Sequence, residues 1–321
     1  MPWVRVVLVN YNAGPVLVET VAALAGQTES DFEAVIVDND GSAAQLALPD
    51  RRFRRIAPGE NIGFAAGSNL GARGAATPWL AMLNPDATPE PGWLANLQRA
   101  TARYPQAAMF GSTQLSSTNP RVLDGAGDCY SIYGIAWRGG HGAPVDAVQS
   151  DTRVFSPCGA AALYRRDVFE AAGGFAESFF CYLEDVDLGF RLNLLGEEAI
   201  QVADARVRHV GGAATTFARG LVLRNSVYVA VRCLPLPHAV FALAALALSH
   251  PGHLKPLVEA LTHLRSLLRE RGPIQAARRL RIRELARLVV WDPRKVKRMA
   301  IVGLRQSRRL AYARGSVSGA P

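Results

Sequence analysis

The segment Phe179-Phe180-Cys181-Tyr182-Leu183-Glu184-Asp185-Val186-Asp187-Leu188 sets three carboxylates within four positions, directly after an aromatic run. Like charges this close repel, so at least one pKa rises unless a cation or a proton intervenes. A helix folds without such a cluster. Chemistry that deprotonates a hydroxyl beside a metal ion requires one. The plain structural alternative is an acidic helix start, favoured by the positive end of the helix dipole, with Asp187 and Arg191 forming an i,i+4 pair.

Two further segments place chemistry at strand ends. Trp79-Leu80-Ala81-Met82-Leu83-Asn84-Pro85-Asp86-Ala87 reads as a short buried strand that finishes in a carboxylate. Open α/β sheets bind ligands at the carboxyl ends of their strands, so Asp86 stands where a metal-diphosphate ligand needs an oxygen donor. Arg206-Val207-Arg208-His209-Val210-Gly211-Gly212 sets a lone His at the end of another β-like run. Taken singly, such a His is more often a hydrogen-bonded or surface residue than a ligand.

The elements that must position these groups alternate between strand and helix patterns. Residues 4–9 form a Val-rich buried strand, Pro15 to Gln27 a helix, Phe32 to Val37 and Phe53 to Ile56 strands, and Gly63 to Ala75 a small-residue helix. A strand at Trp79 to Leu83, a helix at Pro91 to Tyr104 and a strand at Ala107 to Phe110 follow. This rhythm predicts an α/β fold with a mostly parallel sheet covered on both faces. Residues 112–155 read as hairpins and loops over the site. Ala160 to Tyr164 reads as a strand, Arg166 to Ala172 and Glu184 to Leu195 as helices, and Ala199–Val202 and Ala205–Val210 as edge strands.

Taken together, these segments resemble the glycosyltransferases of family 2 with the GT-A fold, in their rhamnosyltransferase-like branch. Val7-Leu8-Val9-Asn10-Tyr11-Asn12 resembles the family's opening strand and loop, and Val35-Ile36-Val37-Asp38-Asn39 its nucleotide-base strand. Asn61-Ile62-Gly63-Phe64 with Asn69 resembles its helix entry, and Leu83-Asn84-Pro85-Asp86 its variant D-x-D metal motif. Gly173-Gly174-Phe175, Phe179-Phe180 and Glu184 to Leu188 resemble its acceptor and catalytic segment. The match spans roughly residues 4–235. Two positions depart from it. Asn84 leaves Asp86 as the sole carboxylate of the D-x-D motif, and Ala176 stands where many relatives carry an acid.

The resemblance implies an inverting sugar transfer from a nucleotide-diphosphate donor. Asn10, Asn12, Asp38, Asn61, Gly63, Asn69 and Asp86 would bind the donor. Asp86 and His209 would hold a divalent cation, Mg or Mn. Asp185 would be the general base, with Glu184, Phe180 and Gly159 at the acceptor. Spacing alone does not choose between Glu184 and Asp185. The branch implies dTDP-rhamnose as donor, although related enzymes use uridine or guanosine diphosphate sugars. It also implies a saccharide or polyprenyl-linked acceptor in cell-envelope polysaccharide synthesis. A non-catalytic nucleotide-sugar-binding peripheral membrane protein is the alternative.

Composition bounds the rest. With 321 residues, 49% of them hydrophobic, the chain carries a large core. Its four cysteines show no C-x-x-C spacing, which argues against a zinc site and a disulfide framework and suits a reducing cytoplasm. The start has no charged n-region followed by a long apolar stretch, so no signal peptide is expected. A G-x-G-x-x-G after the first strand, a G-x-x-x-x-G-K-[ST] and a G-x-S-x-G are all absent, which excludes the usual dehydrogenase, P-loop and hydrolase readings.

Charge is uneven. Residues 251–321 carry 17 Lys and Arg against 4 Asp and Glu, so the preceding 250 residues are net acidic although the whole chain is +9. The organisation read from this is a catalytic domain over 1–220, a basic helical membrane-associating region over 221–302 and a flexible tail over 303–321. Ala239 to Leu248 is uniformly apolar but too short to cross a bilayer, which takes about 20 residues. Leu254 to Arg271 and Ile274 to Trp291 read as basic amphipathic helices suited to the inner face of the cytoplasmic membrane. A solvated hairpin packed on the domain is the equal alternative. The tail lacks the aromatic interleaving of a nucleic-acid binder, so no nucleic acid is expected.

Overall fold

The computed structural model describes residues 1–211, 215–252 and 254–295. β1 (Val4–Asn10) is buried along its whole length, because it lies between parallel neighbours and under helices on both faces. It pairs with β2 (Phe32–Asp38) on one side and β4 (Trp79–Leu83) on the other, and β3 (Phe53–Ile56) extends the parallel run beyond β2. Alternate β1 side chains face opposite layers. Val4, Val6 and Leu8 pack with Leu17, Val21 and Leu24 of α1 (Pro15–Ala25) and with Trp93 and Leu97 of α3 (Trp93–Arg103). Val7 and Val9 pack on α2 (Gly63–Ala72). This helix approaches closely because it is built of small residues: a Cβ at Gly71 would lie 2.4 Å from Val7 Cγ1.

The other half of the sheet is mixed in direction. Its strands are β5 (Ala87–Pro89), β6 (Ala107–Ser116), β7 (Leu123–Gly125), β10 (Thr152–Val154), β11 (Ala161–Arg165) and β12 (Glu198–His209), while β8 (Asp128–Tyr130) and β9 (Ala136–Arg138) form a separate hairpin. The sheet runs β10-β12-β6-β11-β4-β1-β2-β3, with β5 on β12 and β7 on β6. Antiparallel β11 fills the gap between β4 and β6, and β12 runs parallel to β6. The expected mixed, mostly parallel α/β architecture is therefore present. The expected pair of edge strands at 199–210 is instead one interior strand. A register shift between Val202 and Arg206 interrupts its pattern, which is why the sequence reads as two pieces.

After α4 (Arg166–Ala171) and α5 (Glu184–Leu194) the chain turns helical: α6 (Thr216–Cys233), α7 (Leu236–Ser249), α8 (Leu254–Thr262), α9 (Leu264–Ala276) and α10 (Ile282–Leu288). The two long basic helices expected from sequence are three shorter ones. Val227 and Val231 of α6, Leu246 of α7, Leu267 of α9 and Leu285 of α10 join Tyr130, Phe179 and Phe190 in one core. The helical region thus shares its core with α5. Among the described residues no helix is long and apolar enough to cross a membrane. α7 buries Ala239, Ala242 and Leu246 and exposes Val240, Phe241 and Leu248. The expected flexible tail at 303–321 lies outside the described residues.

Candidate active site

The carboxyl ends of β1 and β2 meet as paired Asn10 and Asp38. Asn10 Nδ2 donates to Asp38 Oδ1 at 2.9 Å and to Ser42 Oγ at 2.9 Å. Both Asp38 oxygens accept from Ala43 N-H, and Asp40 accepts from Asn12 N-H at 2.5 Å. Asn10 and Asp38 are buried and fix the loop that follows β2, while Asn12 is exposed. Asn39 Nδ2 donates to Gly63 O at 3.0 Å and Asn61 Oδ1 accepts from Gly63 N-H at 3.0 Å, joining this loop to the start of α2. Asn10 Oδ1 and Asn39 Oδ1 are buried without a donor among the described residues. Asn69 uses both ends of its amide on the Phe175 backbone, at 2.9 Å each, and so braces the Gly173-Gly174-Phe175 turn.

Asp86 and His209 come together. Asp86 lies in the turn between β4 and β5, and His209 ends β12, with its Nε2 3.3 Å from Asp86 Oδ1. On its other side His209 Nδ1 lies 2.7 Å from Asp124 Oδ2. Asp124 also takes Arg138 NH1 from β9 and, through its carbonyl, His141 Nδ1 at 2.7 Å. A carboxylate behind a histidine fixes the ring and its tautomer, the usual support of a metal-ligating imidazole. Burial alone would lower the His209 pKa, but Asp124 and Asp86 outweigh it and raise it. Burial likewise opposes the ionised form of Asp86 and Asp124, yet His209 and Arg138 hold both below the ordinary carboxylate range.

The acidic segment sits at the start of α5, behind a backbone of unusual shape. Phe180, Tyr182 and Leu183 have φ of 63°, 72° and 64°, the left-handed region that non-glycine residues rarely adopt. Two elements hold them there. On the α2 side Phe180 O accepts from Ala65 N-H at 3.1 Å. Its ring and carbonyl lie over Gly63, where a Cβ would come within 2.5 Å of the Phe180 oxygen. On the other side Asn225 of α6, wholly buried, donates from Nδ2 to the carbonyls of Phe179, Cys181 and Tyr182 at 3.1, 3.0 and 2.6 Å. Arg224 orients Asn225 through Oδ1 at 3.0 Å and adds its own bond to Phe179 O at 3.0 Å.

The loop delivers the three acids to different environments. Asp185 Oδ2 accepts from Gly159 N-H at 2.6 Å and Oδ1 from Val186 N-H at 2.8 Å. Burial raises its pKa above the ordinary value, against these two bonds and Arg138. Glu184 is buried, its Oε2 has no partner among the described residues, and burial together with the Asp185 charge pushes it further up. Asp187 points away from the cavity into a fully buried ion pair, accepting from Arg191 Nε and Arg232 Nε at 2.7 Å each. Those two guanidiniums hold its pKa down against burial, so Asp187 supports the helix as its i,i+4 spacing suggests. Asp185, Glu184, Gly159, Asn84, Trp137 and Arg138 line one cavity of about 270 Å³. Asp128, also on its wall, lies within 4.8 Å of Cys158 and Asp185. Burial and the Asp185 charge push Asp128 well above the carboxylate range, and burial pushes the Cys158 thiol up to about 12.

The strand ends thus form a crevice beside buried carboxylates, and residues 5–173 match the family model described as glycosyl transferase family 2. The chain belongs to that family. It is 30% identical over 230 residues to the N-acetylglucosaminyl-diphospho-decaprenol L-rhamnosyltransferase of Mycobacterium tuberculosis, covering 64% of this chain and 75% of the relative. In fold, this family 2 member is similar to the mannosyltransferase PcManGT of Pyrobaculum calidifontis, solved with GDP-Man and Mn2+, at TM-score 0.54 and 20% identity over 86% of each chain. It is also similar to GalNAc-T7 solved with UDP, GalNAc and Mn2+, at TM-score 0.58 and 15% identity over 72% of this chain and 48% of that one. The expected GT-A glycosyltransferase assignment thus stands. Sequence reasoning missed Asp124, Asp128, Arg138, Asn39 and Asn225. Only Asn39, beside Asp38, carries a local signal that could have found it.

Proposed function

We propose that this family 2 glycosyltransferase is an inverting, metal-dependent enzyme that transfers rhamnose from dTDP-rhamnose to a lipid-linked saccharide in cell-envelope polysaccharide synthesis. The reading rests above all on Asp185: a carboxylate aimed by two backbone N-H groups, on the wall of a cavity it shares with the metal-motif residue Asn84. The donor and acceptor classes rest on the similarity to the mycobacterial rhamnosyltransferase.

Asp185 is the group that takes the acceptor hydroxyl proton, on the face opposite the leaving diphosphate. General-base help of this kind contributes roughly 100-fold or more. Its raised pKa brings its basicity closer to the working pH, and Glu184, with an unpartnered buried oxygen, binds an acceptor hydroxyl beside it. The buried, unpartnered oxygens of Asn10 and Asn39 are acceptors for the N-H groups of a nucleotide base. One imidazole nitrogen and one carboxylate oxygen, with Asp124 fixing the ring, fit a divalent cation of the Mn or Mg type. Asp86 and His209 would hold it. When bound, it supplies positive charge against the diphosphate leaving group.

The protein acts in the cytoplasm at the membrane face, with residues 1–220 as the catalytic unit and the basic helical region beyond them as the membrane-associating part. The test is a panel of dTDP-, UDP- and GDP-sugars with Mn or Mg and a lipid-linked N-acetylglucosamine acceptor, the product linkage being read by NMR. Transfer from dTDP-rhamnose with inverted anomeric configuration is expected. A retained configuration, or transfer unaffected by chelator, overturns the mechanism.

A further inference from the structure

A groove of about 690 Å³ runs between the starts of α6 and α8, outside the cavity that holds Asp185. Arg219, Arg224 and Lys255 line it, and Glu259 is the one carboxylate among the described lining residues. Glu259 pairs with Arg224 at 3.1 Å, so among the described lining residues three cationic side chains stand against one carboxylate. At one end the wall is Phe180, part of the strained loop that leads into Asp185. Phe217, 67% exposed, also lines the groove, and Val258 and Leu261 stand exposed further along α8. Cations therefore give way to bare apolar side chains over a short distance. A free anion has no use for the apolar half, and an apolar partner has no use for the cations. Large exposed apolar residues beside fixed positive charge match a ligand with both characters.

We propose that this groove binds the phosphate or diphosphate of a lipid-linked acceptor, with Arg219, Arg224 and Lys255 on the phosphate oxygens and the hydrocarbon chain over Phe217, Val258 and Leu261. The saccharide end then passes Phe180 towards Asp185. The inference rests on the lipid-linked acceptor proposed above and adds where its anionic part is held. Arg224 gives the groove a link to the chemistry, because the same guanidinium donates to Phe179 O and to Asn225 Oδ1. A phosphate drawn to Arg224 sits on the side chain that braces the catalytic loop.

The test is vesicle flotation of the full chain, which needs no turnover. Phosphatidylcholine vesicles doped with a polyprenyl diphosphate are compared with vesicles brought to the same charge by phosphatidylglycerol, and inorganic pyrophosphate is the competitor. The wild type is expected to bind the diphosphate lipid at least about tenfold more tightly than the charge-matched surface. Lys255→Glu and Phe217→Ser should each remove most of that preference. Both positions are exposed, so neither substitution threatens folding. Equal binding to both vesicle types, or a preference that survives both substitutions, overturns the groove. Pyrophosphate binding as tightly as the lipid overturns the apolar half of the site. A protein that binds the diphosphate lipid through this groove but transfers no sugar refutes the proposed function and leaves the groove standing. One that transfers sugar with a preference indifferent to both substitutions refutes the groove alone.

Discussion

Replacing Asn225 by Ala removes one side-chain amide that serves three carbonyls of the loop ahead of Asp185, at 3.1, 3.0 and 2.6 Å. A buried hydrogen bond contributes about 1 kcal/mol net. Phe179 O keeps its bond from Arg224, so the loss is about 2–3 kcal/mol. The loop stores a comparable strain, since each non-glycine residue in the left-handed region costs roughly 1–2 kcal/mol and three are present at φ 63°, 72° and 64°. With the amide gone, part of that strain relaxes by moving the backbone that ends in Glu184 and Asp185. A shift of about 1 Å at a catalytic group costs up to about 100-fold in rate. Asn225→Ala is therefore expected to lower kcat by about 10- to 100-fold and to leave nucleotide affinity within about threefold, because the residues proposed to bind the donor lie on or beside β1, β2, β4 and α2, away from residues 181–183. The melting temperature should fall by about 5–10 °C. Asn225→Asp, the same shape without the two N-H donors, should do no better. Steady-state kinetics at saturating acceptor, calorimetric nucleotide titration and hydrogen exchange across residues 179–183 read the three effects. A kcat within twofold of wild type, with the loop amides as protected as before, would refute the reasoning.

Three further outcomes follow from the same geometry. A Cβ at Gly159 would meet Asp185 Oδ2 at 3.1 Å and crowd the bond that aims it, so Gly159→Ala should cut kcat by about tenfold while sparing donor binding; an unchanged kcat would show that Asp185 needs no such aim. Asp185 works as a base only when ionised, and burial raises its pKa. Activity should thus be present at neutral pH and lost as pH falls through a value above the free aspartate range. An acidic limb of kcat/KM at or below about pH 4 contradicts this. Asp124→Asn removes the carboxylate behind His209 and should weaken metal-dependent nucleotide binding by about 10- to 100-fold, read by Mn titration followed by nucleotide titration; wild-type Mn affinity would show that Asp124 does not support a metal ligand.

How much of this was legible depends on distance along the chain. Asp86, His209, Asp185 and Gly63 sit inside short segments whose strand, turn and helix signals are local. The structure brings Asp86 to His209 and packs Gly63 against the Phe180 loop. Asp124 and Arg138 reach His209 only because hairpin strands fold back over the sheet, and nothing in their own segments announces it. Asn225 acts on carbonyls aimed by positive φ at Phe180, Tyr182 and Leu183, residue types that give no sign of that conformation. The basic region was only half legible for a related reason. Arginine content reads as a solvated or membrane-facing surface, yet Arg271 donates to Val231 O and Leu234 O at 2.6 Å each, and Arg232 is buried on Asp187. Removing residues 251–321 would therefore uncover the core shared by α6, α9 and α10, so single exposed substitutions test membrane binding more cleanly than truncation.

The measurement that bears most directly on the central claim is sugar transfer by Asp185→Asn, set beside wild type on the same donor and lipid-linked acceptor. The substitution keeps the side-chain volume and removes the basicity. Transfer should fall by at least about 100-fold while calorimetric donor affinity stays within a few-fold of wild type. Transfer within a few-fold of wild type would contradict the account and turn attention to Glu184 as the base.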